Sequence, residues 1–183
     1  MNPLVIAATM ARRGMLAPNL PHRLVGQLTS LATWGMSLVG EVRQAALGAP
    51  QRIAVIDQAR GATTYAELFD RGMRAAVALR SQGVEPGHRI GLMARNHVGA
   101  VEVMVGASAL GVDLVLVNTG LAGEQLGLVL AQQEIDLLVH DEEFAAIVDV
   151  LVDGPKTLSE SAFAAAVDAL PVGTSVDRPE PAG

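Results

Sequence analysis

The sequence predicts an α/β fold: a parallel sheet of βαβ type with flanking helices, preceded by a long N-terminal helix. Short apolar runs begin at Arg89, Asp113 and Ile135, separated by 24 and 22 residues, which is compact βαβ spacing. Those runs are almost uniformly hydrophobic, as strands covered on both faces must be. The segments between them carry helical periodicity.

The elements follow in order. Pro3, Pro18 and Pro21 bound short irregular segments up to residue 20. From Pro21 to Leu47 a helix is expected, because Leu24, Leu28, Leu31, Gly35, Leu38, Val39 and Val42 recur at three-to-four spacing, with Trp34 beside them. It packs on the domain or, alternatively, lies in a membrane interface. Ile53–Asp57 reads as a short strand and Arg60-Gly61 as a turn leading to Thr63-Thr64. A helix runs from Tyr65 to Ser81, with Tyr65, Leu68, Phe69, Gly72, Met73, Ala76 and Leu79 inward. Glu67/Arg71 and Asp70/Arg74 are expected to pair at i,i+4 on the other face. Gly83 ends it.

Arg89–Ala94 is a buried strand, and Asn96 is the expected N-cap of a helix through Leu110, stopped by Gly111. Asp113–Val117 is the next strand, then the loop Asn118-Thr119-Gly120, a helix over 123–133 and the strand Ile135–Val139. Asp141 is expected to cap a helix at Glu142-Glu143-Phe144. Ile147–Val152 reads as helix end or strand, and Leu158–Leu170 as helix. The expected organisation is a helical leader at 1–50, an α/β domain at 51–170 and a disordered tail at 171–183.

Composition bounds the chemistry. The 183 residues suffice for one domain with a real core. Half are hydrophobic and only 3% aromatic, so that core is built from Ala, Val, Leu, Ile and Met. With no cysteine, disulfides, thiolate nucleophiles and cysteine zinc sites are excluded. His22, His88, His97 and His140 lie far apart, with no H-x-x-x-H pair to suggest a helical metal site. Residues 1–50 carry a net charge of +3 and residues 51–183 of −9. An acidic body excludes nucleic acid as a partner.

The apolar run Leu4–Ala11 precedes Arg12-Arg13, the reverse of an export signal. The uncharged stretch 24–40 is short for a membrane span and interrupted by Gln27, Thr29, Ser30 and Thr33. A cytoplasmic protein is expected, with peripheral membrane association as an option.

Thr64-Tyr65-Ala66-Glu67-Leu68 is a capping box, in which the Thr64 hydroxyl and the Glu67 carboxylate each accept from the other residue's amide. The same segment resembles the first core motif of the adenylate-forming superfamily. Gly83-Val84-Glu85-Pro86-Gly87-His88-Arg89-Ile90 resembles that family's turn into a strand, and Arg95-Asn96-His97 its R-N-H form. Leu110-Gly111-Val112 leading to Val117-Asn118-Thr119 is similar to its second core motif. His140-Asp141-Glu142-Glu143-Phe144 resembles its D-E-E-F, and Trp34-Gly35 its leader in bacterial long-chain fatty acyl-CoA ligases. Five motifs in order identify the N-terminal part of an AMP-forming ligase of this kind.

The resemblance implies the intact family's reaction: a fatty acid is activated with ATP to an acyl-adenylate, then transferred to CoA, with Mg2+ assisting. Such chemistry needs a loop of backbone amides around the phosphates, plus a lysine. The family's T-S-G-T-T-G-x-P-K-G loop is not among these residues, and Gly154-Pro155-Lys156-Thr157 lacks the preceding Ser/Thr/Gly run. Catalytic, cofactor-binding and metal-binding residues are therefore expected to be none. Asn96, His97, Asn118 and Thr119 follow strand C-termini, where open α/β sheets place ligands, and are the substrate-binding candidates. Three expectations remain open: an inactive truncated ligase, one chain of a split ligase complemented by another, or a module that binds lipid or a partner. Self-association through an unpaired sheet edge is expected, and fatty acid or a membrane surface are further candidate partners.

Overall fold

The computed structural model describes residues 29–30, 33–151 and 153–177. The expected helical positions Leu24, Leu28 and Leu31, the irregular start and the segment 178–183 lie outside them.

The N-terminal helix is not continuous. Helical residues at 33–34 give way to Gly35, and a new helix α1 (Leu38–Gly48) starts beyond Ser37. The Ser37 hydroxyl accepts from the Gly40 amide, and that local cap competes with helix continuation. Val39 and Val42 are buried as expected, whereas Leu38 is exposed. The Val39 amide donates to the Ser108 hydroxyl, which docks α1 on the domain.

Strands β1 (Ile53–Asp57) and β2 (Gly61–Thr64) form an antiparallel hairpin separate from the main sheet. The capping box then opens α2 (Tyr65–Ser81). Glu67 Oε2 accepts from the Thr64 amide at 2.8 Å, and Thr64 Oγ1 accepts from the Glu67 amide at 3.3 Å.

The main sheet has β3 (Arg89–Met93), β4 (Asp113–Leu116), β5 (Leu137–His140) and β6 (Lys156–Ser159), all parallel, in the order β4-β3-β5-β6. Between them run α3 (Val98–Leu110), α4 (Gly123–Gln132) and, after a 3-10 turn at Glu142–Phe144, the short α5 (Ala145–Val148). Helix α6 (Glu160–Asp168) follows β6. Strand β6 replaces the expected helix start at Leu158, and Ile147 and Val148 are helical, not a strand. Gly111 ends α3 in the left-handed conformation, with φ 67°.

Alternation along the strands separates two cores. Ile90, Leu92, Leu137, Val139 and Leu158 face a core shared by α1, α2, α3 and α6. Met93, Val117 and Leu138 face the other, under Leu126 and Leu130 of α4, Phe144 and Val148. Helices α2 and α3 pack very closely: a Cβ on Gly72 would sit 2.9 Å from the Val105 Cβ.

One of the two expected ion pairs forms and the other does not. Asp70 pairs with Arg74 at 2.7 Å as expected, but Arg71 does not meet Glu67. Its Nε donates to Glu102 Oε1 at 2.6 Å, and its Nη1 reaches Asp168 at 2.7 Å. The buried carboxylate outcompetes a solvated one because it has no water to replace its partner. Residues 171–177 likewise pack on the domain, against the expectation of disorder. The Gly173 amide donates to Asp70 Oδ1 at 2.7 Å, and Val176 is buried in the larger core. Among the described residues, no helix is long and apolar enough to cross a membrane.

Candidate functional site

The chain direction reverses around β3. From β3 it crosses to β4 on one side, then returns past β3 to β5 on the other. Helix α3 therefore covers one face, and α4 with Phe144 and Val148 just after β5 covers the opposite one. Between the C-terminal ends of β3 and β5 the outgoing segments diverge, and this switch point is where doubly wound sheets open a crevice. A cleft of about 780 Å³ lies there, bordered by the β1–β2 turn, Asn96, His97, Asp141, Glu142, Glu143 and Glu160.

Its walls are held by side chains that bridge the diverging loops. Asp141 Oδ2 accepts from the Arg95 amide at 2.7 Å, and Asp141 Oδ1 lies 2.9 Å from His97 Nε2. His97, not the expected Asn96, is the N-cap of α3: its Nδ1 accepts from the Ala100 amide at 3.3 Å. That bond leaves Nε2 as the protonated nitrogen facing Asp141. The Arg95 guanidinium grips Glu143 through two contacts of 2.9 Å, donates to Thr119 Oγ1 at 3.3 Å, and stacks over Phe144 with its Cζ 5.1 Å from the ring centre. This pairing holds the Glu143 carboxyl below its usual range.

On the opposite wall, Asp57 Oδ1 accepts from the Ala59 and Arg60 amides at 2.7 and 2.8 Å. Its Oδ2 accepts from the Val98 amide at 3.0 Å, pinning the hairpin turn to the first turn of α3. Donation from Arg60, then Val98 and Ala59, keeps the Asp57 carboxyl below the ordinary value. Glu142 is held low in the same way, chiefly by the Ser161 hydroxyl.

The four substrate candidates divide. His97 and Thr119 join one network through Asp141 and Arg95. Asn118 turns into its own loop, accepting from the Gly120 amide at 2.9 Å. Asn96 is exposed on the cleft rim. Thr64, Tyr65, Glu67 and Leu68 start α2, while Leu110 and Gly111 end α3, and these act on the fold. Asp57 and Glu160 were not legible as site residues, because only the folded hairpin and α6 bring them to the switch point. Arg95 and Asp141 each lie just beyond a strand end, which was their available signal.

The cleft does not fit a nucleotide triphosphate with Mg2+. Five carboxylates border it against Arg60 and His97. A polyphosphate needs donors and positive charge, and no group of residues suited to a metal ion occurs among those described. Lys156, the one lysine of the sequence, sits in β6 and donates to the Gln82 carbonyl at 2.8 Å.

Relatives share this architecture. The chain is 32% identical over 107 residues to a 3-oxocholest-4-en-26-oate–CoA ligase of Rhodococcus rhodochrous, covering 58% of this chain and 19% of the relative. It is 35% identical over 109 residues to a medium/long-chain-fatty-acid–CoA/3-oxocholest-4-en-26-oate–CoA ligase of Mycobacterium tuberculosis, with the same coverage of each. The fold is similar to that of a Mycobacterium tuberculosis fatty acyl CoA synthetase, with TM-score 0.70 and 22% identity over 78% of this chain and 29% of that one. The chain thus spans about a fifth of the length of these curated relatives. The sequence profile of the AMP-binding enzymes matches residues 42–181, and on that match the chain belongs to the AMP-binding enzyme family.

Proposed function

We propose that these residues form the N-terminal part of an AMP-forming acyl-CoA ligase that acts on fatty or similar lipid-like acids, and that alone they do not adenylate. The observation that carries the second half is the chemistry of the cleft. The switch point of the sheet is walled by Asp57, Asp141, Glu142, Glu143 and Glu160, and neither a triphosphate nor a fatty carboxylate is stabilised among like charges. The first half is supported by relatives that are ligases of fatty and sterol-derived acids.

In this reading the His97–Asp141–Arg95–Thr119 network serves as scaffold. It fixes the loops after β3, β4 and β5 in one arrangement, against which further residues complete a nucleotide site. ATP, Mg2+ and CoA would be held by residues outside this sequence, on this chain's continuation or on a complementing chain.

The test is ATP–pyrophosphate exchange by the purified 183-residue chain with decanoate, palmitate and an aromatic acid. No exchange above buffer is expected with any of them. Exchange that scales with protein concentration would overturn the reading.

A further inference from the structure

Beyond α6 the chain has no regular structure, yet it is held in one place. The Arg74 guanidinium on α2 donates to the Val167 and Leu170 carbonyls at 3.3 and 3.4 Å, which fixes the exit from α6. Residues 171–174 then form a turn, in which the Thr174 amide and hydroxyl both donate to the Pro171 carbonyl, at 3.2 and 2.7 Å. Gly173 occupies the third position of that turn with φ 85°, a left-handed value that glycine adopts without strain. Its amide donates to Asp70 Oδ1 at 2.7 Å, while Asp70 Oδ2 holds Arg74, one helical turn further along α2.

The hold on this strap is thin. Of residues 171–177 Val176 alone is buried. Among the described residues, the Gly173 amide makes the one hydrogen bond from them to the rest of the domain. A segment with a single buried side chain opens at a far lower free energy than the core it rests on. The strap also borders a cavity of about 520 Å³, whose other walls are α2 and the hairpin. Its contribution there is Val172, 83% exposed, beside Asp70, Arg71 and Arg74.

We propose that residues 171–176 are a latch that opens and closes over this cavity while the domain stays folded. Arg74 is the hinge post, the glycine turn the stiff arm, Asp70 the catch and Val176 the buried anchor. The turn is closed by its own hydrogen bonds, so the strap leaves and returns as one unit. Opening lifts Val172 from the cavity wall and lets water onto Arg71 and Arg74, whose side chains are 15% and 10% exposed when it is closed. Water raises the local dielectric, so the Arg71–Glu102 and Arg74–Asp70 pairs are weaker in the open form. The latch does not depend on the ligase reading.

The absence of cysteine gives a clean probe, since any introduced thiol is unique. Labelling by an aromatic disulfide reagent is timed on the full chain carrying Val176→Cys, and on one carrying Val103→Cys in α3. Both sites are buried, so each labels only when its surroundings open. The strap site is expected to label at least about a hundredfold faster, with a weaker dependence on urea, because its opening exposes little surface. Gly173→Ala is then added to each chain. A Cβ there meets no atom within 4 Å, so the substitution strains the closed turn and clashes with nothing. Labelling of Val176→Cys is expected to rise about tenfold, while that of Val103→Cys changes by less than about threefold. Equal labelling of the two thiols, an equal urea dependence, or a strap rate that Gly173→Ala leaves unchanged would each overturn the proposal.

Discussion

His97 Nε2 lies 2.9 Å from Asp141 Oδ1, so the residue that caps α3 is tied to the first residue beyond β5. The same carboxylate accepts from the Arg95 amide, and the loops after β3 and β5 therefore depend on one side chain. Asp141→Ala removes both acceptors and leaves the Arg95 amide unpaired. A loss of about 2 kcal/mol is expected in urea unfolding. Asp141→Asn, which keeps an acceptor, loses less.

Glu102 is wholly buried, with Oε1 held by Arg71 at 2.6 Å and Arg60 at 3.0 Å, and with Oε2 unpartnered among the described residues. Arg71→Met strips the shorter contact from a buried charge, and a loss of about 3 kcal/mol is expected. Adding Glu102→Leu removes the orphaned charge and recovers most of that loss. A double-mutant cycle of unfolding free energies measures the coupling.

Helices α2 and α3 touch where Gly72 faces Val105. Gly72→Ala improves helix propensity by about 1 kcal/mol, but its Cβ enters the Val105 side chain, and overpacking costs about 1–3 kcal/mol. Net destabilisation is expected. Val105→Ala in the same chain makes room, so the substitution at Gly72 then costs less.

Acid lability has a defined sign. Asp57, Glu67, Glu142 and Glu143 all titrate below their ordinary values, each because hydrogen-bond donors hold its ionised form. The folded chain therefore binds fewer protons than the unfolded one in that range. Their contribution is fully present above the ordinary carboxylate values of 3.8 and 4.5, and is lost as pH falls through the depressed ones. Glu67→Gln removes one such group, and a shallower decline of thermal stability with acidification is expected.

The sheet was legible because its parallel strands read as apolar runs: Arg89–Met93, the edge strand Asp113–Leu116, exposed at both ends, and the run ending at Val139 needed no tertiary information. Strand β6 was not, since Leu158 is its one buried residue and Ser159 already caps α6 by accepting from the Ala162 amide. The break before α1 was hidden by leucines that continue the helical spacing across Gly35. Within the site, His97 was found because it follows a strand end, but its partner Asp141 read as a helix cap. It makes no side-chain cap bond, because both its oxygens are taken by the loop after β3. Glu102 and Arg71 are 31 positions apart, and only the crossing of α2 and α3 joins them.

We propose that these residues hold the AMP-binding enzyme fold without a site for a nucleotide triphosphate. Equilibrium titration of the folded chain with MgATP tests it most directly. No saturable binding is expected up to the millimolar range, because the switch-point cleft opposes phosphate with carboxylates. Stoichiometric, magnesium-dependent binding would contradict the account.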